Sequence, residues 1–377
     1  MKIAFAIYSE KGTPGGHFFS LEHITHALAR YIDITIIFVG FKTPKVIENL
    51  PYPLYKVNPQ NTKGKEIRKI LIDVKPDVIH CFDARSYLLL TYHTLFKGYK
   101  FLLTKAGGAS PKNGYPFCKD YVLFSLENLY AFQSNSRYSH SNHYLISNRV
   151  DKNLLISCQN CNHLEFTFLQ IIRFAEVKLP QILKSFNLIS LLKAKGVNVK
   201  FVLAGTVNHD EVLRKIKAYI QENNLTENVE LITDNRVNRG SDLLSLGDCI
   251  IGTGRSVMEA TCLDKTIVVP SANSDFPILM DKDSFEELYK FNFSGRTEKL
   301  INSELELEKI QRVISDAEYR RLLLLETKEF CKKYFELSDD SIKMYLNIYR
   351  GLKPTSGLKM LLWNFPLYFG LIKRQIQ

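Results

Sequence analysis

No apolar run in this 377-residue chain approaches the roughly 18 residues that a helix needs to span a bilayer. That absence excludes a polytopic membrane protein. The first apolar run, Ile3 to Tyr8, is cut off by Ser9, Glu10 and Lys11. It is shorter than the roughly 7 to 15 residues of a secretory core, so it reads as a first β-strand, and a cytoplasmic setting is expected. Internal repeats and low-complexity tracts are also missing. This excludes solenoid, collagen-like and mainly disordered chains.

Cysteine is sparse and odd in number, with seven at positions 81, 118, 158, 161, 249, 262 and 331. A chain of this size with unpaired cysteines suits a reducing compartment, not a disulfide framework. Cys158-x-x-Cys161 with His163 has the spacing of half a zinc site. No second Cys/His pair follows at ligand spacing, so the two thiols read as loop residues. A Walker A loop and a GxGxxG fingerprint are absent as well.

The chain carries 45% hydrophobic and 24% charged residues, ordinary for a globular protein. Its length suggests two domains. Fifty Lys and Arg against 39 Asp and Glu leave a net charge of +11. Such an excess fits nucleic acid, an anionic membrane or a polyanionic small ligand. The basic residues are spread along the chain, not gathered with aromatics in one stripe, which argues against nucleic acid.

Short β-rich runs alternate with helical patterns. Strands are expected at Ile3–Tyr8, Ile34–Val39, Asp77–Phe82, Lys100–Thr104, Tyr121–Phe124 and His143–Ile146. Phe18, Leu21, Ile24 and Leu28 mark a helix over 18–31. After an aperiodic stretch at 147–165 the alternation restarts, with strands at 168–172, 197–204, 229–232, 248–252 and 266–270 and a helix over 180–195. From about residue 300 the pattern is helical, over 305–315, 317–335 and 339–351, with Asp339-Asp340 opening the last of these. Strands alternating with helices indicate βαβ units and parallel sheets. The expectation is therefore an α/β chain with Rossmann-like domains at 1–155 and 160–335, a hinge near residue 160, and a helical tail at 336–377. Open sheets of this kind bind ligands at the carboxyl ends of their strands.

Three segments at such ends could carry chemistry. Gly15-Gly16, after the first strand and before a strong helix, lets backbone approach a phosphate or sugar; a plain strand-to-helix turn would look the same. Arg173 and Lys178 follow the first strand of the second half. Two cations there can clamp a pyrophosphate, Arg as a fork and Lys as a point charge, though taken alone they also fit a solvated surface pair. Gly252-Thr253-Gly254-Arg255-Ser256-Val257-Met258-Glu259 follows an apolar strand and begins a helix. The N–H groups of Arg255, Ser256 and Val257 would point at an anion. Glu259 would accept from a ribose diol; alone, it fits a favourable helix-dipole charge.

These residues give the chain a resemblance to the group 1 (family 4) glycosyltransferases, whose GT-B fold sets two Rossmann-like domains facing each other. The resemblance covers residues 1 to about 335. It rests on Gly15-Gly16, Asp77-Val78-Ile79-His80, Arg173 with Lys178, Leu203-Ala204-Gly205 and Gly254 to Ala260. Thr104-Lys105-Ala106-Gly107-Gly108 and Phe124-Ser125-Leu126-Glu127-Asn128 resemble a subgroup of capsule and lipopolysaccharide synthesis. The resemblance implies a nucleotide-sugar donor, such as a UDP-sugar, a glycan or lipid-linked acceptor, retention of anomeric configuration, and no metal or other cofactor. Arg173 and Lys178 would neutralise the diphosphate, Glu259 would hold the ribose, and Gly16, Gly254, Ser256 and Val257 would meet the phosphates. Two departures stand out. The first glutamate of the family's Glu-x7-Glu falls on Ile251, and the histidine after the fourth strand corresponds to Lys105. Lys105 and His80 are thus the catalytic candidates. Asp281-Lys282-Asp283 resembles a metal-binding DxD but lies past the nucleotide region, and reads as a solvated turn. Arg236 and Arg239 are further candidates for base or phosphate contact. A sugar-nucleotide epimerase of the same fold and a non-catalytic sugar-nucleotide-binding protein are the competing readings.

The tail mixes aromatic, aliphatic and basic residues. Leu361, Leu362, Trp363, Phe365, Leu367, Tyr368 and Phe369 are flanked or interrupted by Lys353, Lys359, Lys373 and Arg374. With Pro366 breaking it, residues 354–377 fit either an interfacial anchor on anionic lipid or a segment packed back on the first domain.

Overall fold

The computed structural model describes every residue except 11, 13–14, 60–63, 112–113, 156–164, 299–300 and 377. Cys158, Cys161 and His163 lie outside the described residues. Two compact units emerge, one comprising Met1–Asp151 with Leu337–Gln377 and the other Lys152–Glu336. The segment from Leu337 onward is part of the first unit and no separate tail. The chain crosses between the units at Asp151–Lys152 and at Glu336–Leu337, while the hinge expected near residue 160 falls outside the described residues.

The first unit runs β1 (Lys2–Ser9), α1 (Gly16–Leu28), β2 (Asp33–Gly40), α2 (Lys45–Glu48), β3 (Leu54–Val57), α3 (Lys65–Val74), β4 (Val78–Cys81), α4 (Ala84–Thr94), β5 (Phe101–Lys105), β6 (Asp120–Leu123), α5 (Leu126–Ser134) and β7 (Asn142–Leu145). Its sheet has the order β3-β2-β1-β4-β5-β6-β7 and is parallel throughout. Continuous apolar runs such as Ile3 to Ile7 are buried on both faces, which is why they read as unbroken hydrophobic stretches. The side chain of Asp83 caps α4 by accepting from the Ser86 N–H, and Ser125 caps α5 through Asn128.

The second unit runs β8 (Phe166–Ile171), α6 (Leu179–Ala194), β9 (Val199–Ala204), α7 (Asp210–Glu222), β10 (Val229–Ile232), β11 (Cys249–Ile251), α8 (Arg255–Cys262), β12 (Thr266–Val269), β13 (Ile278–Leu279), α9 (Phe285–Lys290), α10 (Ser303–Ser315) and α11 (Ala317–Phe330). Its sheet order is β10-β9-β8-β11-β12-β13, parallel except for the last pair. The two strands that the sequence pattern missed, β3 and β13, are short outermost strands with too few residues to show alternation. The helix expected over 317–335 gives way to a π-helical turn at Cys331–Phe335.

Two further helices return to the first unit. α12 (Asp339–Gly351), with Ser338 as its N-cap, packs Ile342, Tyr345 and Tyr349 against the α1 side of the sheet. α13 (Gly357–Ile376) joins the opposite core through Leu361, Leu367 and Tyr368. Pro366 does not break it. Proline removes the hydrogen bond to the residue four positions earlier, but the inner face of α13 is pinned on both sides of it. Asn364 accepts from the Phe117 N–H at 2.7 Å and donates to the Phe117 carbonyl at 2.9 Å. Tyr368 donates to Thr91 at 3.0 Å, and Trp363 stacks on Phe117. The outward face shows Leu358, Leu362, Phe365 and Phe369, all more than half exposed, at the 4-3-4 spacing of a helical stripe. No helix among the described residues is long and apolar enough to cross a membrane.

Candidate functional site

In the second unit β8 is central, β9 and β10 extend one way, and β11 to β13 the other. The direction of winding therefore reverses between β8 and β11, and open α/β sheets bind ligands beyond the carboxyl ends of strands at such a point. Arg173 follows β8, and the Gly252–Ser256 turn follows β11. The two segments are 79 residues apart in sequence, yet they extend neighbouring strands paired through Phe168–Cys249 and Leu169–Ile250.

Beyond β8 the chain crosses close over the end of β9. A Cβ at Gly205 would sit 1.8 Å from the Ile172 carbonyl oxygen, so only glycine fits there. Arg173 is exposed, and Lys178 is half-buried in a short 3-10 turn leading into α6. Neither makes an ion pair among the described residues. Burial, and then the positive charge of Arg173, pull the Lys178 ammonium below its ordinary pKa. Among the described residues the fold thus gathers two cations and pairs neither with a carboxylate, an arrangement whose electrostatics favour an anionic ligand.

Gly254 adopts φ +59° and ψ −122°, a conformation costly for any residue with a side chain, and it heads α8. The amide of Ser256 is among the first N–H groups of that helix, which have no intrahelical acceptor. The Val257 N–H instead bonds back to the Gly254 carbonyl at 3.2 Å, and its side chain is fully buried. This corrects the expectation of three free amides. The Arg255 side chain turns inward, with Nε donating to Glu259 Oε1 at 2.6 Å, and both residues are buried. Ile251, at the position of the absent glutamate, is in the core.

Other candidates separate. Arg236 is clamped on Asp234, with Nη2 to Oδ2 at 2.7 Å. Arg239 pairs with Asp242 and donates to the Leu154 carbonyl. Asp281 is no solvated turn. It is buried, holds the N–H groups of Asp283 and Ser284, and pairs with Lys309 at 2.8 Å. Among the described residues no group of His, Cys, Asp and Glu side chains could hold a metal.

The first unit reverses its winding between β1 and β4. Gly15 is the N-cap of α1, and Gly16 its first residue. Lys105 closes β5 at the carboxyl edge, nearly buried. Its ammonium donates to the Gly107 carbonyl at 2.8 Å and lies 5.3 Å from the Tyr115 ring centre. Asn128 donates to the Gly108 carbonyl, which joins the two segments that resemble the polysaccharide subgroup. His80 is walled off from the strand end where it was expected to act. It sits inside β4 with no exposure, between Thr104 (2.6 Å) and Tyr349 (2.9 Å). Burial lowers its pKa to about 3, so it is a neutral structural imidazole. Asp83 escaped the sequence reading. It accepts from the N–H groups of Tyr8 and Ser86, and burial pushes its pKa up to about 6. Its only signal is the capping spacing Asp83-x-x-Ser86, because the contact with β1 is made by topology.

No protein-family model matches the sequence, and no curated protein sequence matches it significantly. Solved structures do. Anabaena Alr3699/HepE in complex with UDP and glucose aligns at a TM-score of 0.68 and 13% identity, over 92% of this chain and 99% of that one. A glycosyltransferase from Rickettsia africae aligns at 0.68 and 16%, over 93% and 98%. The lipopolysaccharide outer core galactosyltransferase WaaB, in its apo form, aligns at 0.60 and 15%, over 92% and 98%. The likeness is one of fold, and this chain has the two-unit α/β fold of GT-B proteins.

Proposed function

We propose that the protein is a glycosyltransferase that moves a sugar from a nucleotide-sugar donor of the UDP type to a glycan or lipid-linked acceptor. The observation that carries this reading is the pairing of Arg173 and Lys178 with the Gly254 turn on either side of the second sheet's reversal point. Glycosyl transfer expels a nucleoside diphosphate, and charge develops on the leaving oxygen. Two preset cations and the amides heading α8 stabilise that charge without reorganising. This chemistry needs no metal, and the resemblance to retaining enzymes adds retention of configuration. Glu259, carried one turn into α8, is the ribose acceptor in this reading. Lys105 is the remaining catalytic candidate of the first unit.

The setting proposed is cell-surface polysaccharide synthesis at the cytoplasmic face of a membrane. The outward stripe of α13 beside Lys353 and Lys359 gives the chain an amphipathic surface suited to an anionic interface. An epimerase needs paired acid and base groups around the sugar, and the burial of His80 removes one of the few candidates. Calorimetry with UDP and GDP, together with nucleoside diphosphate release from a panel of nucleotide sugars, tests the proposal. Absence of nucleotide binding overturns it.

A further inference from the structure

A cavity of about 500 Å³ opens at the reversal point of the first sheet, within the usual size of ligand pockets. Its polar mouth holds Glu10 and Arg85. Arg85 donates to the Tyr8 hydroxyl at 2.9 Å and to Glu10 at 3.2 Å, and its guanidinium lies 4.9 Å from the Tyr8 ring centre. The other walls are apolar: Val39 at the end of β2, Leu88 and Leu89 on α4, and Leu367 and Leu371 on α13. A carboxylate, a guanidinium and an aromatic ring suit sugar hydroxyls and a sugar face. The apolar walls suit a hydrocarbon chain.

α13 carries a wall of this cavity on one face and the exterior stripe on the other. The helix runs antiparallel to α4. Gly357 packs on Phe96, just past the end of α4, Tyr368 bonds Thr91 in its last turns, and Leu371 reaches the cavity beside Ala84. Leu367 and Leu371 thus line the cavity while Phe365 and Phe369, on the same turns, are exposed. Residues 341–377 contain six Lys and Arg and no Asp or Glu. The helix that walls the cavity therefore belongs to an acid-free stretch complementary to an anionic lipid surface.

We infer that this cavity takes the apolar chain of an amphipathic, sugar-headed acceptor, with the head at Glu10, Tyr8 and Arg85 and the chain between α4 and α13. The inference rests on the glycosyltransferase reading and narrows its acceptor to a lipid-linked one. Gly370 also lines the cavity, and a Cβ there meets nothing within 4 Å. Gly370→Phe therefore starts into open space and is expected to fill the cavity, whereas Gly370→Ala leaves it open.

The test is calorimetric titration of the full chain with n-octyl β-D-glucoside below its micelle concentration, against glucose, with UDP titrated in parallel. The expected result is binding of the octyl glucoside at least ten-fold tighter than glucose, lost ten-fold or more in Gly370→Phe and Leu371→Glu and kept in Gly370→Ala. UDP binding should stay unchanged in all three. Equal affinity for glucose and octyl glucoside overturns the inference. So does alkyl binding that survives both blocking variants but vanishes in Phe365→Glu, since the chain then sits on the outer stripe. Loss of UDP binding in the unmodified chain counts against the glycosyltransferase reading alone.

Discussion

Arg255 Nε donates to Glu259 Oε1 at 2.6 Å within the first turns of α8, and both side chains are buried. The proposed ribose carboxylate is thus also the counter-ion of a buried guanidinium. Breaking one half of such a pair costs about 3–5 kcal/mol. Glu259→Ala is expected to lower the melting temperature by several degrees and to abolish UDP binding. Glu259→Gln keeps an acceptor for Arg255, so it should retain most of the stability while binding UDP weakly. Paired thermal melts and calorimetry check both. An Ala variant as stable as the parent would mean that Arg255 does not depend on Glu259.

Lys178 is held below its ordinary pKa by burial and by Arg173. A lysine whose folded pKa is lowered costs stability while it is charged. That cost is fully present below the folded pKa and disappears as pH rises through the unfolded value. Lys178→Met should therefore raise the melting temperature at neutral pH and weaken UDP binding. Each of Arg173→Ala and Lys178→Met removes a charged hydrogen bond of about 1.5–3 kcal/mol, which is roughly ten- to a hundred-fold in affinity. A diphosphate at this site would restore the lysine's pKa, so affinity should fall as pH rises through the lowered value.

His80 and Asp83 give opposite pH slopes. The folded pKa of His80, about 3, lies below its unfolded value. Its stabilisation is complete above pH 6.5 and is lost as pH falls toward 3, at up to roughly 1.4 kcal/mol per pH unit. The folded pKa of Asp83 is raised to about 6 from 3.8. Its contribution is present at low pH and is lost as pH rises through 6, so the two partly cancel between pH 4 and 6. Asp83→Asn keeps the α4 cap and should steepen the loss of stability on acidification in that window. His80→Phe leaves Thr104 and Tyr349 unsatisfied and should cost about 1–3 kcal/mol with little change in turnover. Denaturant melts across pH check both.

The two faces of α13 should respond differently. Deleting residues 354–377 strips Met360, Asn364 and Tyr368 from the core and is expected to destabilise the first unit, so it is a poor test of membrane binding. Leu362→Glu with Phe365→Glu alters only the exposed stripe. That variant should melt like the parent and lose co-sedimentation with anionic vesicles. Unchanged partitioning would rule out the stripe as the lipid contact.

The thiols of Cys262 and Cys331 lie 2.8 Å apart, tying the end of α8 to the π-helical turn. The Cys262 S–H pulls the Cys331 pKa below the ordinary thiol value. Diamide should convert the pair to a disulfide, with loss of two hydrogens and reduction of the diazene. Peptide mapping should find that crosslink, and Cys262→Ser should abolish it.

The hydrophobic alternation of the sequence determined most of the elements and both parallel sheets, because strands buried on both faces are written as unbroken apolar runs. Gly205 and Gly254 were legible by residue type, since the Ile172 carbonyl crosses close over the one and the other adopts a positive φ. Residue type alone left Arg173 and Lys178 as a solvated surface pair, and only the family resemblance offered them as a phosphate clamp. What lies between distant segments was not legible. Only the tertiary structure shows that β8 and β11 are neighbours, that His80 is sealed between Thr104 and Tyr349, and that Asp281 pairs with Lys309. It also shows α13 running through Pro366, because pinning by Phe117 and Thr91 outweighs the local preference to break. Charge was countable in the sequence, but only packing decided which charges are buried and paired and which stand open to a ligand.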